Sequence, residues 1–293
     1  MRNYCVAISK PFPADPQRDE FTETLASRLI ARGVHTLVMP ELYHLRTTSG
    51  AVAALKNLQS PLIFCSWLHP RAAFWTLNVM GVPHARRVSK DNGGAKECPL
   101  VCVNLAERCC PDKWMAEIEK HFEGTFPGGT GKLMRLEGTP EERWYPVVDY
   151  GRCQNCGECA EFCLFGVYGK RADGTVIAEN PEACKPGCPA CSRVCPAQAI
   201  MFPLYTDDDA IAGSDQGQIQ PFDAATLARI RDHRGKAQIP AVKPAQGLKK
   251  LVDNCACKTA AGAADALQQA ASAAKGGDND SYFDQVIDGV VQE

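Results

Sequence analysis

At 293 residues with 45% apolar content the chain has length for about two domains and the composition of an ordinary soluble protein. Its 32 basic residues stand against 34 acidic ones, a balance that shows none of the strongly basic character of a nucleic-acid partner. Sixteen cysteines would suit a secreted disulfide scaffold only in a short chain without a core, and no stretch reaches the roughly 18 apolar residues of a membrane span.

Met1 to Pro13 carry Lys10 and two prolines where a signal peptide would have its apolar core, so the cytoplasm is the expected compartment. From there the pattern alternates between strand and helix. Tyr4 to Ile8 reads as a buried strand. Between Asp19 and Arg32, Phe21, Leu25, Leu29 and Ile30 share one helical face, and Gly33 supplies the left-handed residue that ends a helix without steric cost. Thr36 to Pro40 predicts a second strand, leading through Thr47-Thr48-Ser49 to a helix bearing Val52, Leu55 and Leu58. Leu62 to Cys65 predicts a third strand, Ala72 to Met80 a helix, Leu100 to Val103 a fourth strand, and Trp114 to Phe122 an amphipathic helix. Strands separated by helices at this interval form a parallel sheet, so residues 1–140 are expected to make an α/β domain.

No nucleotide signature accompanies that fold. Ser9-Lys10-Pro11-Phe12-Pro13, the turn after the first strand, lacks the glycines that admit a pyrophosphate. Gly128-Gly129-Thr130-Gly131-Lys132 imitates a phosphate loop, but Phe126 occupies its first glycine position and Leu133 follows the lysine, so it reads as a flexible linker segment. Near the strand ends, where open parallel sheets bind ligands, stand Lys10, Glu41, Tyr43, His44, Trp67, His69, Arg71, Asn104, Glu107 and Arg108. Polar residues collect on loops in every α/β domain, so these either line a crevice or are ordinary loop residues. Trp67-Leu68-His69-Pro70-Arg71 has two uses: it holds an anion, or it docks the cysteine-rich segment that follows.

Eight cysteines are scattered. Cys5 and Cys65 lie in apolar strands and read as small core residues. Cys98, Cys102, Cys109 and Cys110 are dense enough to form a third metal site or a redox switch, and Cys255 with Cys257 is incomplete as a metal site without further ligands. The other eight stand in two runs, Cys153-x2-Cys156-x2-Cys159-x3-Cys163 and Cys184-x3-Cys188-x2-Cys191-x3-Cys195-Pro196. Zinc knuckles need two cysteine pairs separated by a longer spacer, whereas each run crowds its thiols together. Cys184, Cys188 and Cys191 also match a radical-SAM triad. That reading requires an early loop of a large barrel, and too little chain follows to build one.

The two runs resemble the bacterial dicluster ferredoxin family, over residues 144–206. The resemblance implies that Cys153, Cys156, Cys159 and Cys195 hold one [4Fe–4S] cluster and that Cys163, Cys184, Cys188 and Cys191 hold a second. Each run then completes its neighbour's site. It also implies a small α+β domain, here residues 141–206. In this setting Val147-Val148 and Ala199 to Phe202 can pair as outer strands, while Val167-Tyr168 and Val176-Ile177 flank the turn Ala172-Asp173-Gly174 as a hairpin. Two features depart from the family: three residues rather than two separate Cys184 from Cys188, and Leu164 follows Cys163 where proline is common.

Residues 207–293 read as a linker and helical tail. Asp223 opens a helix carrying Leu227 and Ile230, Pro240 and Pro244 break the pattern, and Thr259 to Lys275 is alanine-rich. Beyond a hinge at 276–280, Phe283, Val286, Ile287, Val290 and Val291 share one helical face, which either docks a partner or packs on its own chain. The leading functional expectation is an electron carrier or electron-delivery subunit acting between redox partner proteins, with no assigned catalytic residue. Lys170, Arg171, Lys185 and Arg193 either steer such encounters or are solvated surface. The alternative is an iron–sulfur oxidoreductase whose α/β domain binds a small substrate or flavin.

Overall fold

A computed structural model describes residues 4–85, 99–107, 110–223, 225, 227 and 228. Contacts divide the chain after Arg231, and everything below belongs to the first unit, Met1–Arg231. The expected alanine-rich and terminal helices, with Cys255 and Cys257, lie outside the described residues.

β1 (Cys5–Ser9) leads into α1 (Pro16–Ala31). The helix starts before its hydrophobic periodicity because the Asp15 carboxylate accepts the Gln17 and Arg18 amides at 3.0 and 3.2 Å, and Pro16 sits in the first turn where its missing N–H is harmless. Gly33, at φ +85, ends it as expected, and Val34 N donates to Leu29 O. Next come β2 (Thr36–Met39), α2 (Gly50–Asn57), which Ser49 caps, then β3 (Leu62–Ser66) and α3 (Pro70–Val79). β4 (Leu100–Asn104) and α4 (Pro111–Glu119) follow.

The next element was not expected. β5 (Leu133–Arg135) pairs in parallel with β2, so the sheet has five parallel strands in the order β4-β3-β1-β2-β5. The glycine run before it is docked, not a free linker: Gly128 N donates to Arg32 O at 3.0 Å, Gly131 N to Ile30 O at 2.8 Å, and Lys132 O accepts Thr36 N at 2.9 Å. A Cβ on Gly33 would collide with the Gly128 backbone, and one on Gly131 with Val34. One sheet face buries Val6, Ile8, Val38, Ile63 and Cys65 against Leu25, Leu29, Trp114 and Ile118. The alternating residues Ala7, Leu37, Met39 and Phe64 are buried as well, the two-sided coverage typical of a parallel sheet.

β6 (Val147–Val148), α5 (Glu158–Phe162), β7 (Tyr168–Lys170), β8 (Val176–Ala178), α6 (Ala190–Val194), β9 (Ile200–Met201) and α7 (Asp209–Ala212) complete the unit. The outer strands pair antiparallel, Val147 opposite Met201 and Val148 opposite Ile200. β7 and β8 form the expected hairpin, turned by Gly174 at φ +83 beside Asp173, whose carboxylate accepts Thr175 N at 2.9 Å. Val148, Cys191, Ile200, Phe202, Ile211 and Ile219 make a second small core, over which Trp144 stacks on Phe202. No helix among the described residues is long and apolar enough to cross a membrane.

Candidate metal centre

The two cysteine runs fold alike. Each places its third cysteine in a five-residue helix, Cys159 in α5 and Cys191 in α6, and its fourth at the residue that caps that helix. Cys163 (φ −71, ψ 117) and Cys195 (φ −71, ψ 111) are both extended, with amides bonded to Cys159 O at 3.0 Å and Cys191 O at 3.2 Å. The fourth cysteine therefore leaves the turn that holds the third.

One cavity is lined by Cys153, Cys156 and Cys159 of the first run together with Cys195 of the second. Val148, Val176, Ala199 and Ile200 supply apolar walls. Asn155 (φ +55) and Gly157 (φ +86) take the left-handed backbone that curls the loop around it. Burial pushes the Cys159 thiol up to about 12, and Cys195, Cys153 and Cys156 add to the push.

The remaining four cysteines are also neighbours. Burial lifts Cys184 to about 12, reinforced by Cys188 and Cys163. Buried Cys191 lies well above the ordinary thiol value: burial leads, the Tyr168 hydrogen bond pulls it down, and Cys184, Cys163 and Cys159 add to the rise. Cys163 thus keeps company with the second run and Cys195 with the first. Cys184, despite its longer spacing, faces Cys188 and Cys163. Tyr168 donates its hydroxyl to Cys191 Sγ at 3.1 Å, and Trp144 Nε1 donates to Cys188 O at 3.2 Å.

Thiols crowded in low dielectric give up their protons only to a group that brings positive charge, so this donor set suits a cationic metal core. Among the described residues no three His, Cys, Asp or Glu side chains converge as a single-ion site. Four thiols lining one cavity are a donor set suited to an inorganic core held by thiolates.

Three of the ten polar residues near the strand ends, Arg71, Tyr43 and His44, meet the cysteine-rich segment. Buried Arg71 pairs with buried Asp149, Nε to Oδ2 at 2.8 Å, and its Nη2 donates to Gln198 O at 2.6 Å. The Asp149 carboxylate also accepts the Gly151 and Arg152 amides, while Asp149 O accepts Cys153 N. One arginine of α3 therefore grips the loop before Cys153 and the turn after Cys195. Tyr43 and Tyr145 stack at 4.2 Å and bond reciprocally, each hydroxyl donating to the other's carbonyl at 2.6 and 2.9 Å. His44 Nδ1 accepts Arg143 N at 3.1 Å.

The other candidates are dispersed. Lys10 lines an open groove with Pro40, Arg135 and Glu137, but both cations pair with Glu23. Trp67 lies beneath the Arg18 guanidinium and edge-on to Phe21. His69 approaches Asp209 at 4.0 Å, Asn104 Oδ1 accepts Ala106 N, Glu107 is exposed, and Arg108 is outside the described residues. Glu41 caps the 3₁₀ turn Leu42–His44 through one carboxylate oxygen. Desolvation pushes the thiols of buried Cys5 and half-buried Cys102 up to about 12, and that of buried Cys65 higher. Cys98 and Cys109, half of the suggested third site, lie outside the described residues. Asp149, Tyr145, Gln198 and Tyr168 escaped sequence reasoning as site residues, because their roles depend on partners distant in the chain.

The short paired strands, the hairpin and the two capped helices thus form a small cysteine-rich α+β module on a parallel α/β platform. No protein-family model matches the chain. Over 61 residues it is 46% identical to an uncharacterized ferredoxin of Methanocaldococcus jannaschii; that stretch is 20% of this chain and 41% of the relative, so the chain spans about two-fifths of that protein's length. The likeness supports a ferredoxin-like iron–sulfur domain here.

Proposed function

We propose that this protein binds two [4Fe–4S] clusters and carries electrons between redox partner proteins. The observation that carries the reading is the cavity in which Cys153, Cys156 and Cys159 meet Cys195. The ferredoxin likeness supports an iron–sulfur electron-transfer role. Cys153, Cys156, Cys159 and Cys195 would hold one cluster, and Cys163, Cys184, Cys188 and Cys191 the other. When bound, each cluster supplies a one-electron couple.

The chain's own residues set the conditions for that couple. Val148, Val176 and Ile200 keep water from the cavity walls, and the Ala199 amide points at Cys195 Sγ at 3.4 Å. Cys156 is exposed, so a partner can come close to that edge without the chain opening. Arg71 and Asp149 lock the flanking segments to the sheet, which limits rearrangement when charge changes.

Iron and acid-labile sulfide analysis of anaerobically purified protein tests the reading. About eight of each per chain are expected. Stoichiometric zinc without sulfide would overturn it, and a content near twelve would add a third site at Cys98, Cys102, Cys109 and Cys110. Co-purified flavin would turn the reading toward an oxidoreductase.

A further inference from the structure

We infer that Tyr168 separates the potentials of the two clusters, raising that of the cluster held by Cys191 through the hydrogen bond from its hydroxyl to the Cys191 sulfur. This rests on the two-cluster reading above. Tyr168 opens β7 opposite Ala178, which fixes its backbone, and its ring packs in the small core with Cys191, Ile200 and Phe202. The hydroxyl lies 3.1 Å from Cys191 Sγ. Reduction adds negative charge that spreads onto the ligand sulfurs, so a donor aimed at one of them stabilises the reduced state more than the oxidised state.

The first site has a different neighbour. Asn155 presents its side-chain oxygen 3.6 Å from Cys153 Sγ, and the Val176 amide, 3.2 Å from the same oxygen, holds it in that orientation. An acceptor facing a ligand sulfur disfavours added electron density. A backbone donor, the Ala199 amide, lies 3.4 Å from Cys195 Sγ. The side-chain contacts differ in sign between the sites, while the backbone contacts run the other way, since Lys185 O faces Cys184 Sγ at 3.9 Å in the second site. The Tyr168 hydroxyl, at 3.1 Å the shortest of these contacts, sets the balance, so that an electron entering the protein rests preferentially on the second cluster.

EPR-monitored redox titration of the full chain tests this. Tyr168→Phe removes the donor and keeps the ring, and is expected to shift one midpoint downward while the other stays. The shifted cluster should be the one that Cys191→Ser also perturbs. Unmoved potentials, equal shifts in both clusters, or a shift confined to the cluster that Cys156→Ser perturbs would overturn the inference. Should Tyr168→Phe lose its clusters, the unmutated protein decides. Its iron–sulfur stretching bands in resonance Raman should move in deuterated water for the cluster assigned to Cys191 by that cluster's loss of signal in Cys191→Ser, and their immobility counts against Tyr168. Iron and sulfide content separates the levels of failure: absence of clusters sinks both proposals, whereas two clusters with unmoved potentials sinks only this one.

Discussion

Cys163 and Cys195 illustrate how one backbone choice decides which neighbours a thiol meets. Had either continued its helix, its thiol would have stayed beside its own run; extended geometry carries it out instead. Cys163→Ala is therefore expected to perturb the same cluster as Cys188→Ala, and Cys195→Ala the same cluster as Cys156→Ala. Low-temperature EPR of the four single variants sorts them into pairs, and the opposite pairing would mean that each run holds its own cluster. The proposed ligand set can be read from spacing alone because thiolate spacing is a local property. Glu41 was legible only as a polar residue near a strand end. Burial lifts its carboxyl from 4.5 to about 7 against the downward pull of the Tyr43 and His44 amides, and Oε1 has no partner among the described residues. The folded protein keeps this proton to higher pH than the unfolded chain does. Stability from this group accordingly falls as pH rises from about 4.5 to about 7 and then levels off. Glu41→Gln should exceed the parent by on the order of 3 kcal/mol at pH 8, with the gain vanishing near pH 4 in anaerobic denaturant titrations. A gain independent of pH would show that Glu41 is not protonated on folding.

At the scale of elements, α3 does more than cover the sheet. Its first turn delivers Arg71 to Asp149 and Gln198, on the two segments that flank the ligands of the first cavity. Arg71→Leu strands a buried carboxylate and should cost about 3–5 kcal/mol. The cavity containing Cys153 and Cys195 should lose iron before the other. Adding Asp149→Asn, which removes the charge while keeping an oxygen for the Gly151 and Arg152 amides, should recover part of the stability. Equal loss of iron from both sites would show that Arg71 supports the fold as a whole. Helices and strands were readable from apolar periodicity, as Leu25, Leu29, Ile63 and Phe64 show. β5 was not: three residues, two of them exposed, carry too little pattern, and their pairing depends on how Gly128 and Gly131 pack on the end of α1. Arg71's destination was hidden for the same reason, since nothing local to Pro70-Arg71 names a partner 78 positions away.

For the molecule as a whole, every cysteine of the two runs and all five strands of the sheet fall within Met1–Arg231. Removing residues 232–293 should leave iron content and EPR spectra unchanged, and weakened capture of a redox partner by the shortened chain would assign the tail to docking. Loss of clusters on truncation would show instead that the tail belongs to the site.

The cavity that joins Cys153, Cys156 and Cys159 to Cys195 also sets a timetable for biosynthesis. A chain emerging from the ribosome presents β1 to β5 first, so the platform can fold while the site is still only half translated. Until Cys195 has been made, the first three thiols have no closing wall, and until Cys191 has been made Cys163 has no neighbours from the second run. Both sites are completed within a few residues of one another, on a foundation already in place. A chain stalled anywhere before that point would carry its proposed cluster ligands only as loose, oxidisable thiols.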